Sequence, residues 1–348
     1  MNINSVLQKD NLSRKEIISL LKIEDKTELD LLFARAAEVR NFYFGNEIHL
    51  RGIIEFSNYC EQNCLYCGLR KKNGVLQRYR MDKELILSVV KSITSKGIKT
   101  IVLQSGEDNF YSCDCINEII RNIKNENDTA VTLCLGERNF TEYEVWKEAG
   151  ADRYLLKHET SNPKLYSIYH QNQSLNERLK HLKFLKITGY QTGSGNLIGL
   201  PYQTIEDISD DIILCKKLNV DMASFSPYLP SPETPYRNKK PADVSLVLKV
   251  MAVARIILKD VHMPATTALA TMHKDGRKLG LLAGANVIMP NFTPSAFSKR
   301  YSIYPNKLND FDIDKSLDNI ENTARLLHLK ISRTRGDTRK SGIKAKAV

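Results

Sequence analysis

Phe56-Ser-Asn-Tyr-Cys-Glu-Gln-Asn-Cys-Leu-Tyr-Cys-Gly68 decides how this chain is read. Cys60, Cys64 and Cys67 stand in a C-x3-C-x2-C spacing, so one short loop brings three thiolates to a single cuboidal iron–sulfur cluster. Thiolates are the usual anchors of such clusters, and a complete structural set has four. Three leave one iron open to another molecule. A structural zinc site also needs four ligands, usually cysteine or histidine. Residues 68–109 hold neither Cys nor His, and His49 upstream lies in a strand-like run, so the spacing favours a cluster over zinc.

Outward from the loop, short apolar β-branched segments alternate with helix patterns. His49–Phe56 precedes the cysteines; 100–104, 130–134 and 153–157 follow, then 192–200, 222–229, 264–269 and 285–289. Helical periodicity falls on 83–95, 116–125, 142–149, 176–187, 205–218 and 244–257. Strands alternating with helices argue for parallel βαβ units. Eight units in a chain of 348 residues predict an α/β fold, a complete (β/α)8 TIM barrel spanning 46–300. Residues 1–45 read as helices covering the barrel bottom, with starts at Asn11-Leu-Ser-Arg and Asp25-Lys-Thr-Glu; 301–348 read as a short C-terminal extension. Barrel active sites sit at the C-terminal ends of the strands. The cysteine loop, Ser105-Gly-Glu-Asp108, Gly136-Glu137 and His158-Glu-Thr160 all fall there, so polar residues gather on one face.

Composition narrows the class. No apolar run approaches the roughly 18–20 residues of a membrane span, and the first ten residues have no signal-peptide core. Seven cysteines, three of them in the loop, do not make a disulfide scaffold. A reducing cytoplasm is expected, because an open cluster is oxygen-sensitive. Net charge is +11, but 331–348 alone contributes +5 and reads as a solvated or frayed terminus. No aromatic-studded basic stripe accompanies the charge, so a nucleic-acid partner is only weakly supported.

An incomplete cysteine set with Tyr66 before its last member resembles the radical S-adenosylmethionine (SAM) superfamily. That resemblance implies SAM chelated to the open iron, an electron that breaks its sulfonium C–S bond, and a 5′-deoxyadenosyl radical. The cofactors carry the hard chemistry and the protein positions them. Longer runs are more specific: 53–57, 64–70, 78–81, 100–108, 146–156, Pro264-Ala-Thr-Thr-Ala268 and Gly284-Ala-Asn-Val-Ile-Met-Pro-Asn291 resemble the HydE family of [FeFe]-hydrogenase maturases over nearly the whole chain.

The resemblance implies one [4Fe–4S] cluster on Cys60, Cys64 and Cys67. It places Tyr66 by the adenine, Ser105, Gly106 and Glu107 at the methionine amino group, Glu159 on the ribose hydroxyls and Arg178 on the methionine carboxylate. Gln104, Lys157, Met222, Thr266, Thr267, Tyr301 and Tyr304 correspond to the substrate cavity. The implied substrate is an iron complex bearing cysteine, carbon monoxide and cyanide, supplied by HydG. The product goes toward the scaffold HydF, and ferredoxin or flavodoxin serves as reductant. Two positions depart: Lys157 stands where the family often has arginine, and Cys134, beside SAM, where it often has serine. No cysteine follows Cys215, so the second cluster of some members is not expected. The plain alternatives are a solvated helix residue for Arg178, strand propensity for the threonines and packing for the tyrosines.

Biotin synthase needs a second cluster with an arginine ligand, and 262–275 contains none. A methylornithine synthase-like mutase, a non-catalytic iron–sulfur protein and an RNA-modifying enzyme are the remaining alternatives.

Overall fold

The computed structural model describes residues 3–126 and 128–340. Helices α1 (Ile3–Leu7), α2 (Arg14–Leu21) and α3 (Lys26–Phe44) come first. Both expected starts are capped. Ser13 accepts from the Glu16 N–H and Glu16 reaches back, while Asp25 accepts from Glu28. These contacts satisfy backbone donors that a helix start leaves unpaired.

Strands and helices then alternate: β1 (Glu47–Leu50), β2 (Gly52–Ser57), α4 (Lys83–Ser95), β3 (Thr100–Ser105), α5 (Cys113–Glu126), β4 (Ala130–Cys134) and α6 (Phe140–Glu148). Next come β5 (Arg153–Leu155), α7 (Pro163–Tyr169), α8 (Leu175–Ile187), β6 (Gln191–Ile198), α9 (Ile205–Lys217), β7 (Met222–Pro227) and α10 (Val244–Leu258). The remainder is α11 (Thr267–Met272), α12 (Gly276–Leu282), β8 (Val287–Ile288), α13 (Ser295–Ser298), α14 (Ile313–Leu326) and β9 (Lys330–Ile331).

Strands β2 to β7 form one parallel sheet in chain order. Helices cover it, so β2 is buried along its whole length, as parallel strands between layers must be. The expected eight-strand ladder is corrected to six. Past β7 the pairing continues only as isolated parallel bridges, Met222 to His262, Pro264 to Val287 and Asn291 to Ile53. Pro264 and Pro290 interrupt these stretches, and a proline has no N–H to give a ladder. The run 49–56, expected as one strand, breaks at Arg51, because β1 leaves the main sheet to lie between β8 and β9. The run 264–269, expected as a strand, is a bridge at Pro264 followed by α11, whose first turn is capped by the Thr266 hydroxyl.

Two large apolar cores and a smaller cluster round Leu165, Tyr169 and Tyr228 form among the described residues. In one, Leu20, Leu32 and Ala36 of the N-terminal helices meet Ile212, Val250 and Met251 of α9 and α10. The other lies between β2–β4 and α4–α6, with Ile54, Ile101, Val131, Ile119 and Trp146. Residues 331–340 are not the solvated tail expected. Arg335 pairs with Asp152, Arg339 donates to the Tyr43 carbonyl and Lys340 to that of Val220, so this strap lies across the N-terminal edge of the sheet. The expectation for 341–348 lies outside the described residues. No described helix is long and apolar enough to cross a membrane.

Candidate active site

The cysteine loop leaves the C-terminal end of β2 and is held from several sides. Arg78 donates to the carbonyls of Asn58 (2.5 Å), Leu69 (2.9 Å) and Arg70 (2.7 Å), tying the two ends of the loop together. The Leu65 N–H reaches the Tyr169 carbonyl at 3.0 Å, and the Gly68 N–H reaches Ile303 at 2.9 Å. Gly106, at the end of β3, lets the loop close down: a Cβ there would stand 2.1 Å from the Tyr59 carbonyl and 2.7 Å from Cys60 Cβ.

Burial pushes the thiol pKa of Cys60, Cys64 and Cys67 up, Cys67 to about 12, and for Cys64 and Cys67 the neighbouring cysteines add to the rise. Such a set becomes three thiolates only against a strong positive charge, which iron supplies. Among the described residues, no three His, Cys, Asp or Glu side chains converge as a single metal ion requires. A cuboidal cluster takes its three thiolates on three different irons, so it does not require that convergence. The donor set therefore fits the cluster.

Above the loop lies a cavity of about 370 Å³. Cys60, Cys64, Cys67, Tyr66, Ser105, Gly106, Glu107, Glu159 and Arg178 line it, together with Gln104, Lys157, Thr266, Thr267, Tyr301 and Tyr304. Two expected residues are not brought there. Met222 opens β7 deep in the sheet, where Arg51 donates to its sulfur at 2.8 Å. Cys134 is absent from the cavity wall; burial raises its thiol to about 12 while Arg51 pulls the other way.

Arg178 is no solvated helix residue. It is 6% exposed, and Nη1 donates to the Lys157 carbonyl at 3.2 Å. Its Nε stands 2.6 Å from Glu137 Oε1, off the angle for a hydrogen bond, and Nη2 is 3.7 Å from Glu107. Burial raises the Glu107 pKa and Arg178 opposes the rise. Glu159 has φ +61°, a left-handed conformation costing a non-glycine residue about 1–3 kcal/mol. Its N–H is fixed on the Gly195 carbonyl, and Oε2 lies 3.4 Å from Lys157 Nζ with no hydrogen-bond partner. A strained acid presenting an oxygen beside a cation but free of hydrogen bonds suits a ligand hydroxyl.

Sequence reasoning missed several lining residues. Glu55 is buried against Lys307 at 2.5 Å and accepts from Asn291 at 3.0 Å. An acid inside the apolar run 52–57 was a readable signal; Lys307, 252 positions away, gave none. Gln62 donates to Glu107 at 2.6 Å. His170 stands 3.3 Å from Cys64 Sγ and 3.0 Å from the Tyr66 hydroxyl.

Residues 54–215 match the model of the Radical SAM superfamily. The chain is 47% identical over 308 residues to the [FeFe] hydrogenase maturase subunit HydE of Thermotoga maritima, covering 88% of each chain. It belongs to the HydE family of radical SAM enzymes. Membership implies an iron–sulfur cluster and SAM, which the cysteine loop and the cavity above it suit. To 3-methylornithine synthase of Methanosarcina acetivorans this HydE-family chain is 31% identical over 285 residues, 81% of this chain and 80% of that one. Among solved structures, methylornithine synthase superposes with a TM-score of 0.84 at 26% identity, over 95% of this chain and 97% of that one. The maturase HydG from Carboxydothermus hydrogenoformans shares the fold, with a TM-score of 0.79 at 22% identity over 96% and 81%.

Proposed function

We propose that the chain binds one [4Fe–4S] cluster on Cys60, Cys64 and Cys67, cleaves SAM reductively, and acts on an iron–cysteine–carbonyl–cyanide complex during maturation of the [FeFe]-hydrogenase diiron site. The observation that carries this reading is the shared cavity: cysteines, SAM-side residues and the threonine pair line one space in a chain 47% identical to a HydE. When bound, the cluster and SAM supply an electron and a 5′-deoxyadenosyl radical.

The protein's part is placement. Arg178 exchanges its movable carboxylate neighbours for the methionine carboxylate through charge-assisted hydrogen bonds. Glu159 accepts from the ribose hydroxyls, and Tyr66 closes the adenine side. Across the cavity, Lys157 offers a cation and Thr267 a hydroxyl to an anionic iron complex; Lys157 keeps the charge of the family's arginine but not its planar fork. The bridges at His262, Pro264 and Asn291 serve as the last two staves of a barrel round this space. Supply by HydG, transfer to HydF, reduction by ferredoxin or flavodoxin, and a cytoplasmic setting complete the proposal.

The test uses reconstituted protein, SAM, reductant and the synthetic iron complex, with hydrogenase maturation as the readout. Thr267→Val keeps volume and deletes a donor, at roughly 1–3 kcal/mol for the bond left unmade to a buried anion. It is expected to keep SAM affinity and lose maturation. Thr266 also caps α11, so Thr266→Ser, which retains the cap, is its control. Normal maturation by Thr267→Val removes the substrate assignment. The TM-score of 0.84 to methylornithine synthase favours a second reading, a lysine mutase; formation of methylornithine from lysine by the wild-type protein would decide for it.

A further inference from the structure

We propose that His170 is a positioning residue that raises the reduction potential of the cluster through Cys64 and fixes Tyr66 with the same ring; this rests on the reading that Cys60, Cys64 and Cys67 hold the cluster. His170 ends α7, with its N–H on the Tyr166 carbonyl at 2.8 Å. It is 3% exposed, and its ring stacks on Tyr166 with centroids 4.5 Å apart and planes at 20°. The Leu65-to-Tyr169 hydrogen bond joins this helix end to the cysteine loop, so ring and sulfur are fixed relative to each other.

The chemistry of the neighbours sets the direction of each bond. Nδ1 lies 3.3 Å from Cys64 Sγ and 3.2 Å from Gln173 Oε1. An iron-bound thiolate has lone pairs and no proton, and a side-chain amide oxygen only accepts. The proton therefore sits on Nδ1 and is shared between those two acceptors. Nε2 is left with a lone pair, so the Tyr66 hydroxyl, 3.0 Å away, donates to it. The result is a one-way chain from Tyr66 through His170 to Cys64.

The other two cysteines differ in kind. Cys60 receives the backbone N–H of Gln62 at 3.4 Å, and Cys67 faces that of Leu69. Backbone donors survive any side-chain change, whereas the donor to Cys64 is a side chain. Hydrogen bonds to ligand sulfurs are among the levers that set a cluster's potential. A donor favours the reduced, more negative form, so His170 makes the cluster easier to reduce.

The test is a redox titration of the reconstituted cluster without SAM, followed by electron paramagnetic resonance, with iron content measured in each variant. In His170→Leu, the reduced-to-oxidised ratio at the wild-type midpoint is expected to fall about tenfold, a shift of about 59 mV for one electron. His170→Asn puts an N–H donor near the Nδ1 position and is expected to stay at the wild-type potential. His170→Gln puts its amide near Nε2 and is expected to shift as His170→Leu does. A wild-type potential in fully loaded His170→Leu overturns the proposal, as does His170→Asn shifted equally far. Should His170→Leu take up no iron, the Asn and Gln variants decide: a shift in Gln alone supports the proposal, and equal potentials overturn it. Wild-type protein that takes up no iron refutes the cluster reading instead.

Discussion

Arg153 and Arg178 are both buried, one at each end of the same parallel sheet, and their partners differ in kind. Arg153 opens β5. Its nitrogens donate to Gln191 and Thr100, to the carbonyls of Arg335 and Gly336, and to Asp337. Arg178, beside the other end, donates to one carbonyl and otherwise stands among the carboxylates of Glu137 and Glu107. A buried guanidinium needs partners in either place, because an uncompensated charge in the interior is costly. Backbone carbonyls cannot step aside, so the first arginine locks structure. Carboxylates on side chains around a cavity can, so the second can take a ligand.

The largest effect should come from removing what the cavity end is built on. Cys60→Ala, Cys64→Ala and Cys67→Ala should each abolish SAM cleavage, measured as 5′-deoxyadenosine, with iron content falling below the wild-type value. Appreciable cleavage in any of the three means that cysteine is not a ligand.

Arg153→Met attacks the other end. It takes one donor each from Asp337, which keeps Gln191 and Arg335, and from the Arg335 and Gly336 carbonyls, and a hydrogen bond to a charged group is worth about 1.5–3 kcal/mol. The loss should appear in the denaturant midpoint, while SAM affinity of the folded protein is kept. Arg178→Ala should do the reverse, weakening SAM binding by roughly 1.5–3 kcal/mol, the range for a hydrogen bond to a charged group. If the two variants shift the same property, the contrast between locking and ligand-binding arginines fails.

The smallest effect is acid sensitivity of the strap. Burial alone would raise the Asp337 pKa, but Gln191, Arg153 and Arg335 outweigh it and hold the pKa below the ordinary value. A depressed folded-state pKa means stability present above the unfolded value of about 3.9 and lost as pH falls through the folded one. Asp337→Asn should therefore be less stable than wild type above about pH 4, with the difference closing at lower pH. A constant difference across that window would sink the assignment.

Helices were the legible part of the fold: 83–95 and 205–218 are α4 and α9 to within a residue. Amphipathic periodicity and capping residues are local signals. The expected strand 285–289 does hold β8, but 264–269 was not legible, because threonine serves a strand and an N-cap equally well and Thr266 takes the second role. In the site, a spacing exposed the cysteines, and resemblance pointed to Arg178 and the threonines. Glu55 with Lys307, and His170 with Cys64, are pairs made by the closed fold, and their separation hides them from any local pattern. Arg51 was equally silent, yet it is the donor that meets the Met222 sulfur where β7 begins.

The three-stranded sheet places β1 between β8 and β9, pairing Glu47 with Lys330 and His49 with Val287. During synthesis β1 leaves the ribosome roughly 240–280 residues ahead of either partner, and Arg153 emerges 182 and 183 residues ahead of the carbonyls of 335 and 336. A nascent chain with the cysteine loop already exposed thus lacks both the floor of its sheet and the segment 301–307 that walls the cavity. Cluster loading during translation would meet an open, solvent-washed loop, so this architecture favours delivery of iron and sulfide after the strap has docked.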